Sequence, residues 1–121
     1  AEILNAVNHP RLRYCFDTQH AFGAGYDLRT AVNIDDVVNQ LDHTIGLDRI
    51  DVIHLNDSKV VLAAHRDRHE NIGDGFIGLT GIKALLHHSK LRYKPWILEV
   101  PGMHDELTAA DNVARLKKLA A

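Results

Sequence analysis

Apolar residues along this chain recur at two spacings, and the alternation between those spacings divides it into strands and helices. Ile3, Leu4 and Val7 suggest the last turns of a helix, stopped by the His9-Pro10 step. Arg11 to Asp17 reads as a short strand around Tyr14-Cys15-Phe16, with its ladder near 12–17. Thr18 to Thr30, holding Gly23 and Gly25, reads as a loop. Ile34, Val37, Val38, Leu41 and Ile45 then share one face of the clearest helix, with Asn33 as its expected N-cap and Gly46 at its end. Ile50 to Leu55 is the second strand. The long connection Asn56 to Leu79 follows, and connections of that length are usually functional or disordered. Thr80 is the expected cap of a short helix with Ile82, Leu85 and Leu86 inward. Trp96 to Val100 is the third strand, and Thr108 with Asp111 suggests a capping box for a last helix facing inward through Val113, Leu116 and Leu119.

Strands separated by helices imply parallel pairing through crossovers. The expected fold is α/β, with about three β-α units of the kind a (β/α)₈ TIM barrel contains. A complete barrel of that kind has eight units in about 250 residues and keeps its active site on the loops at the strand C-terminal ends. Those are the long loops here.

Composition adds bounds. A chain of 121 residues, 45% apolar and 25% charged, has the balance of one globular domain. Its formal net charge of −2 supplies no global pull toward nucleic acid, so any such contact must come from a local patch. No run approaches the roughly 20 apolar residues of a membrane span, and nothing at the start resembles a signal peptide. Cys15 is the one cysteine, which excludes an internal disulfide and fits a reducing, cytoplasmic location. Inside its apolar run it reads as a buried, inert thiol. The chain begins at Ala1 and its one methionine is Met103, which suggests that a natural N-terminal portion is missing.

Nine histidines raise the expectation of metal chemistry. Side chains alternate faces along a strand, so Cys15 with Asp17, Val52 with His54, and Ile97 with Glu99 each share a face. Taken singly, Asp17 reads more readily as a turn or cap residue, His54 as a satisfied core histidine and Glu99 as a salt-bridged rim group. Jointly, at equivalent ends of three strands, they point to a metal site with a position open to water. His20 with Asp67 and His69 makes a second set of two imidazoles and one carboxylate, against the alternative of solvated loop histidines. Lys59, Arg66 and Arg68 give the same loop a basic cast, suited to phosphate contact or merely to solvation. His87 and His88 end a helix and read as structural; His9, His43 and His104 read as ordinary, and His65 is ambiguous. No P-loop, dinucleotide-binding glycine motif or nucleophilic serine motif occurs.

These residues also carry a resemblance. Cys15-Phe16-Asp17-Thr18-Gln19-His20-Ala21-Phe22, followed by Gly25-Tyr26-Asp27, resembles the first signature of the endonuclease IV family of apurinic/apyrimidinic endonucleases. His54-Leu55-Asn56-Asp57-Ser58-Lys59 resembles its second signature, and Asp67-Arg68-His69-Glu70-Asn71-Ile72-Gly73-Asp74-Gly75 its third. Ile97-Leu98-Glu99 is similar to its final strand; Gln19, Val100 and Pro101-Gly102 depart from the usual pattern without touching a ligand position.

The resemblance implies that 1–121 is the C-terminal part of such a (β/α)₈ TIM barrel and belongs to a zinc-dependent DNA repair hydrolase that cleaves the phosphodiester 5′ to an abasic site. It implies three zinc ions for the complete barrel and ligands for two here. Asp17, His54 and Glu99 would bind one, and His20, Asp67 and His69 another. Glu99 would also act catalytically, by orienting the attacking hydroxide. The family's remaining ligands and its DNA-intercalating loop residues lie in the first half of the barrel and are absent. The expected partners are therefore DNA containing abasic sites, and either the missing N-terminal half or a second copy forming a homo-oligomer, with little or no activity in the chain alone. Two other readings stand beside this one: a metal-dependent sugar isomerase or epimerase of the related xylose isomerase-like barrels, and a non-catalytic metal-binding fragment. The Asp67-Arg68-His69 signature argues against the isomerase.

Overall fold

The computed structural model describes residues 1–101 and 105–121. Helix α1 (Glu2–Val7) closes on Asn8, whose left-handed backbone lets its N–H reach the Leu4 carbonyl. It is followed by β1 (Tyr14–Asp17), α2 (Thr18–Gly23), α3 (Ala31–Thr44), β2 (Ile50–His54), β3 (Asp57–Ser58), β4 (His69–Glu70), α4 (Gly78–His87), β5 (Trp96–Ile97) and α5 (Glu106–Ala120). The main sheet has the order β1-β2-β5, and both pairings are parallel. Asp17 lies opposite His54, and His54 opposite Ile97, so the three strands end level with one another.

The crossovers place helices on one face of this sheet. Phe16, Ile53 and Leu55 meet Ile34, Val37 and Val38 of α3 and Ile82, Leu85 and Leu86 of α4 in one apolar core. Strand alternation sends Cys15, Val52 and Ile97 to the opposite face, where Cys15 and Ile97 are exposed and Val52 is half-buried. Cys15 is therefore exposed rather than buried: its run is apolar, but its parity points it to the open side.

Several local expectations are corrected. Thr18–Gly23 is a helix, not a loop, because the Asp17 carboxylate caps it by accepting the His20 N–H at 3.0 Å. Helix α3 is capped by Thr30, not Asn33: the Thr30 hydroxyl accepts the Asn33 N–H at 3.3 Å. Thr80 lies inside α4, whose first N–H groups are taken by a distant carboxylate described below. Thr108 lies within α5, where its carbonyl accepts from the Asn112 amide, and Asn112 is buried while Val113 is exposed. The long connection Asn56 to Leu79 holds a small antiparallel ladder between β3 and β4 that the sequence pattern did not indicate. The third strand is shorter than expected, since beyond Ile97 the backbone turns to side-chain partners. His104 and Gly102 lie outside the described residues. Among the described residues no helix is long and apolar enough to cross a membrane.

Candidate metal centre

The level strand ends bring three side chains to one point. His54 Nδ1 lies 2.8 Å from Glu99 Oε2 and 3.7 Å from Asp17 Oδ2, and a ligand atom from each lies within 4.8 Å of the others. Asp17 is 7% exposed and His54 26%, so the group sits in a partly dried recess with Glu99 at its rim. An imidazole flanked by two carboxylates at a strand-end mouth is a donor set suited to a divalent cation.

A second group lies alongside. His20 Nε2 is 3.3 Å from Asp67 Oδ2, and His69 Nε2 is 3.2 Å from Asp67 Oδ1. The two imidazoles stand 5.5 Å apart, centre to centre, with the Asp67 carboxylate reaching between them. Asp17, at the edge of the first group, also brings an oxygen within 4.8 Å of His20 and His69 ligand atoms, so the two groups adjoin. His69 Nε2 is buried yet makes no hydrogen bond, because its 3.2 Å approach to Asp67 lacks hydrogen-bond geometry. A buried imidazole nitrogen beside a carboxylate, yet not hydrogen-bonded to it, is what a metal ion held by both would satisfy. Asp17, His54 and Glu99 thus form one group with mutually close ligand atoms; in the other it is Asp17, His20 and His69 that do so, with Asp67 beside both imidazoles.

The supporting residues Thr18, Asn56 and Asp57 lie within the sequence signatures, but the pattern alone gives them no role of their own. Asn56, wholly buried, donates from Nδ2 to Asp17 Oδ2 at 3.0 Å and accepts the Glu99 N–H at Oδ1 at 2.8 Å. The Thr18 hydroxyl holds the Asn56 backbone, accepting its N–H at 2.9 Å and donating to its carbonyl at 2.7 Å. The Asp57 carboxylate, also wholly buried, accepts N–H groups from Ser58, Gly73, Gly75, Ile77 and Gly78. One side chain so folds the 71–78 segment into a cradle and caps α4, whose N-terminal dipole favours the negative charge. Gly75 is required there, because a Cβ would collide with the Ser58 carbonyl and the Asp57 carboxylate. A polar Asn-Asp pair immediately after an apolar strand was the available signal.

The basic loop is built against α2. The end carbonyls of Phe22 and Gly23 accept N–H groups from Ala63 and His65, and Ala63 and His65 themselves have left-handed backbones. Gln19 Nε2 donates to the Arg66 carbonyl at 2.9 Å, which fixes the approach to Asp67. Lys59, Arg66 and Arg68 are exposed; the Lys59 N–H bonds the Arg68 carbonyl, and Arg68 Nη1 donates to the Asp67 carbonyl. His87 and His88 make helix contacts, to the Leu119 carbonyl and to Asp35, away from both groups.

Comparison with known proteins gives the same frame. Residues 1–119 match the profile of the xylose isomerase-like TIM barrel family. A "Probable endonuclease 4" of Halothermothrix orenii is 48% identical over 101 residues, covering 83% of this chain and 36% of that protein. The "Probable endonuclease 4" of Methanoculleus marisnigri is 46% identical over 110 residues, covering 91% of this chain and 39% of that protein. Among solved structures, endonuclease IV from Thermus thermophilus superposes with a TM-score of 0.84 at 34% identity, over 98% of this chain and 42% of that one. The chain therefore spans well under half the length of these relatives. With parallel strands ending level and their ligand-type residues gathered at one mouth, the chain belongs to the xylose isomerase-like TIM barrel family.

Proposed function

We propose that this chain supplies part of the active site of a zinc-dependent endonuclease that hydrolyses the DNA backbone 5′ to abasic sites. The observation that carries it is the pairing of two adjoining ligand groups with a buried, unpartnered His69 Nε2 at the strand ends. In this reading Asp17, His54 and Glu99 hold one zinc ion, and His20, Asp67 and His69 hold another. Bound zinc supplies Lewis-acid chemistry, polarising the phosphate and making water a better nucleophile. The chain's own work is to orient. Glu99 in this reading binds metal and also directs the attacking oxygen toward phosphorus; its position at the rim, 2.8 Å from His54, supports that role. Exposed Lys59, Arg66 and Arg68 hold backbone phosphates, which positions DNA without reading its sequence. The lone thiol, Cys15, fits a cytoplasmic setting.

The 121-residue chain alone is expected to cut abasic DNA weakly or not at all, so the decisive assay places it in a complete barrel. This chain replaces the matching segment of the Halothermothrix orenii relative, and the chimera is given a duplex with one abasic site. Chelator-sensitive incision on the 5′ side is expected, with loss of at least about 100-fold for Glu99→Gln. A folded chimera that binds metal yet leaves the abasic strand intact, or that interconverts sugars instead, overturns the proposal.

A further inference from the structure

We propose that Asn56 is a positioning residue for both ligand groups, and that it couples metal binding at one to metal binding at the other, an inference resting on the metal-centre reading above. A primary amide is unfavourable to bury unless its hydrogen bonds are made. Asn56 is wholly buried, and its side chain spends its bonds on candidate ligand residues: Nδ2 on the Asp17 carboxylate and Oδ1 on the Glu99 N–H. Asp17 ends β1 and Glu99 follows β5, so this one amide spans the two strands that flank β2.

The bonds reach into both groups. Asp17 Oδ2 is held by Asn56 and Oδ1 by the His20 N–H, which fixes the rotation of the carboxylate. On the other side the Glu99 peptide is held at both ends. Its N–H is bound by Asn56, and its carbonyl lies 2.9 Å from His69 Nδ1. Glu99 belongs to the first group and His69 to the second. A tilt of that one peptide would therefore move a carboxylate in one group and an imidazole in the other. An aspartate at position 56 would keep the acceptor for Glu99 but lose the donor, and would set two carboxylates side by side. Outer hydrogen bonds of this kind typically change metal affinity roughly 10–100-fold.

The test is zinc titration of the chain by calorimetry, with cobalt(II) absorption as a report on ligand geometry and circular dichroism as the folding check. The His54→Ala variant disables the first group and leaves the second. On that background Asn56→Asp is expected to weaken the remaining ion roughly 10–100-fold and to shift its cobalt bands. Yet the hydrogen bonds of Asn56 go to Asp17, Thr18 and Glu99 and not to His20, Asp67 or His69. An unchanged affinity and spectrum there overturns the coupling. A second measurement leaves Asn56 intact. With the exposed His20 changed to alanine, zinc added to the first group should shift the His69 Nδ1 nitrogen resonance, and a resonance that stays put counts against the proposal. Failure of the unmodified chain to bind any ion sinks the metal-centre reading as well. Binding by the unmodified chain, with equal binding by Asn56→Asp, sinks the coupling alone.

Discussion

His69 Nδ1 lies 2.9 Å from the backbone carbonyl of Glu99. A carbonyl only accepts, so the imidazole must carry its proton on Nδ1, which leaves the Nε2 lone pair facing the Asp67 carboxylate and the ligand cluster. Long-range nitrogen–proton correlation spectra should show the Nδ1-protonated tautomer for neutral His69. Zinc should then move the Nε2 resonance. A spectrum of the Nε2-protonated form contradicts the orientation described.

The Asp57 carboxylate is the interior anchor of the 71–78 cradle. Asp57→Ala leaves the N–H groups of Gly73, Gly75, Ile77 and Gly78 without their acceptor. Urea unfolding should show a loss of about 3 kcal/mol, the scale expected when buried donors lose their partners. Asp57→Asn should fall between, since an amide offers one acceptor oxygen. A loss for Asp57→Ala of less than about 1 kcal/mol would show the cradle holding without it.

The face opposite the helices is open among the described residues. Ile97 is 49% exposed, and a groove of about 850 Å³ beside β1 is lined by Leu12, Tyr14, Cys15, Leu41 and Ile45. Free strand edges template pairing with another chain. We expect the isolated chain to sediment as a two-fold dimer and Cys15 to react with a maleimide fastest at dilutions where the dimer dissociates. A monomer at all concentrations, or equal labelling throughout, refutes the pairing.

Asp27 and Arg29 form a two-pronged pair, at 2.9 Å and 2.7 Å, and the Asp27 oxygen also accepts the Arg29 N–H. The Arg29 hydrogen bonds hold the Asp27 carboxyl below the usual carboxylate range. A carboxyl depressed in the folded state stabilises above its unfolded value, about 3.9, and the contribution is lost as pH falls through the lower folded value. Arg29 is half exposed, so solvent screening keeps the pair's contribution small. Asp27→Asn should therefore lower the unfolding midpoint slightly at pH 7, and by progressively less as pH falls below the unfolded carboxylate value. A difference that persists in acid would point to a packing effect instead.

Strand periodicity alone determined much of the candidate site. Because successive side chains point to opposite faces, placing Asp17, His54 and Glu99 at equivalent strand ends was enough to aim all three at one mouth. Helix α3 was equally legible through Ile34, Val37 and Val38, which the structure buries. The same local logic misread Thr18–Gly23, because it took Gly23 and Gly25 as loop signals and could not see Asp17 capping the turn it precedes. It also misread Cys15, since an apolar run does not say which of its two faces will be covered.

What only the tertiary structure decided is how the polar residues after His54 are used. Asn56 and Asp57 are adjacent in sequence, yet one stitches β1 to the segment after β5 while the other folds a loop some twenty residues further on. A hydrogen bond depends on where a donor and an acceptor meet in space, and spacing along the chain carries no record of that meeting. Hydrophobic alternation is a local property and survives in sequence; the partners of a buried amide exist only once the strands have been brought level.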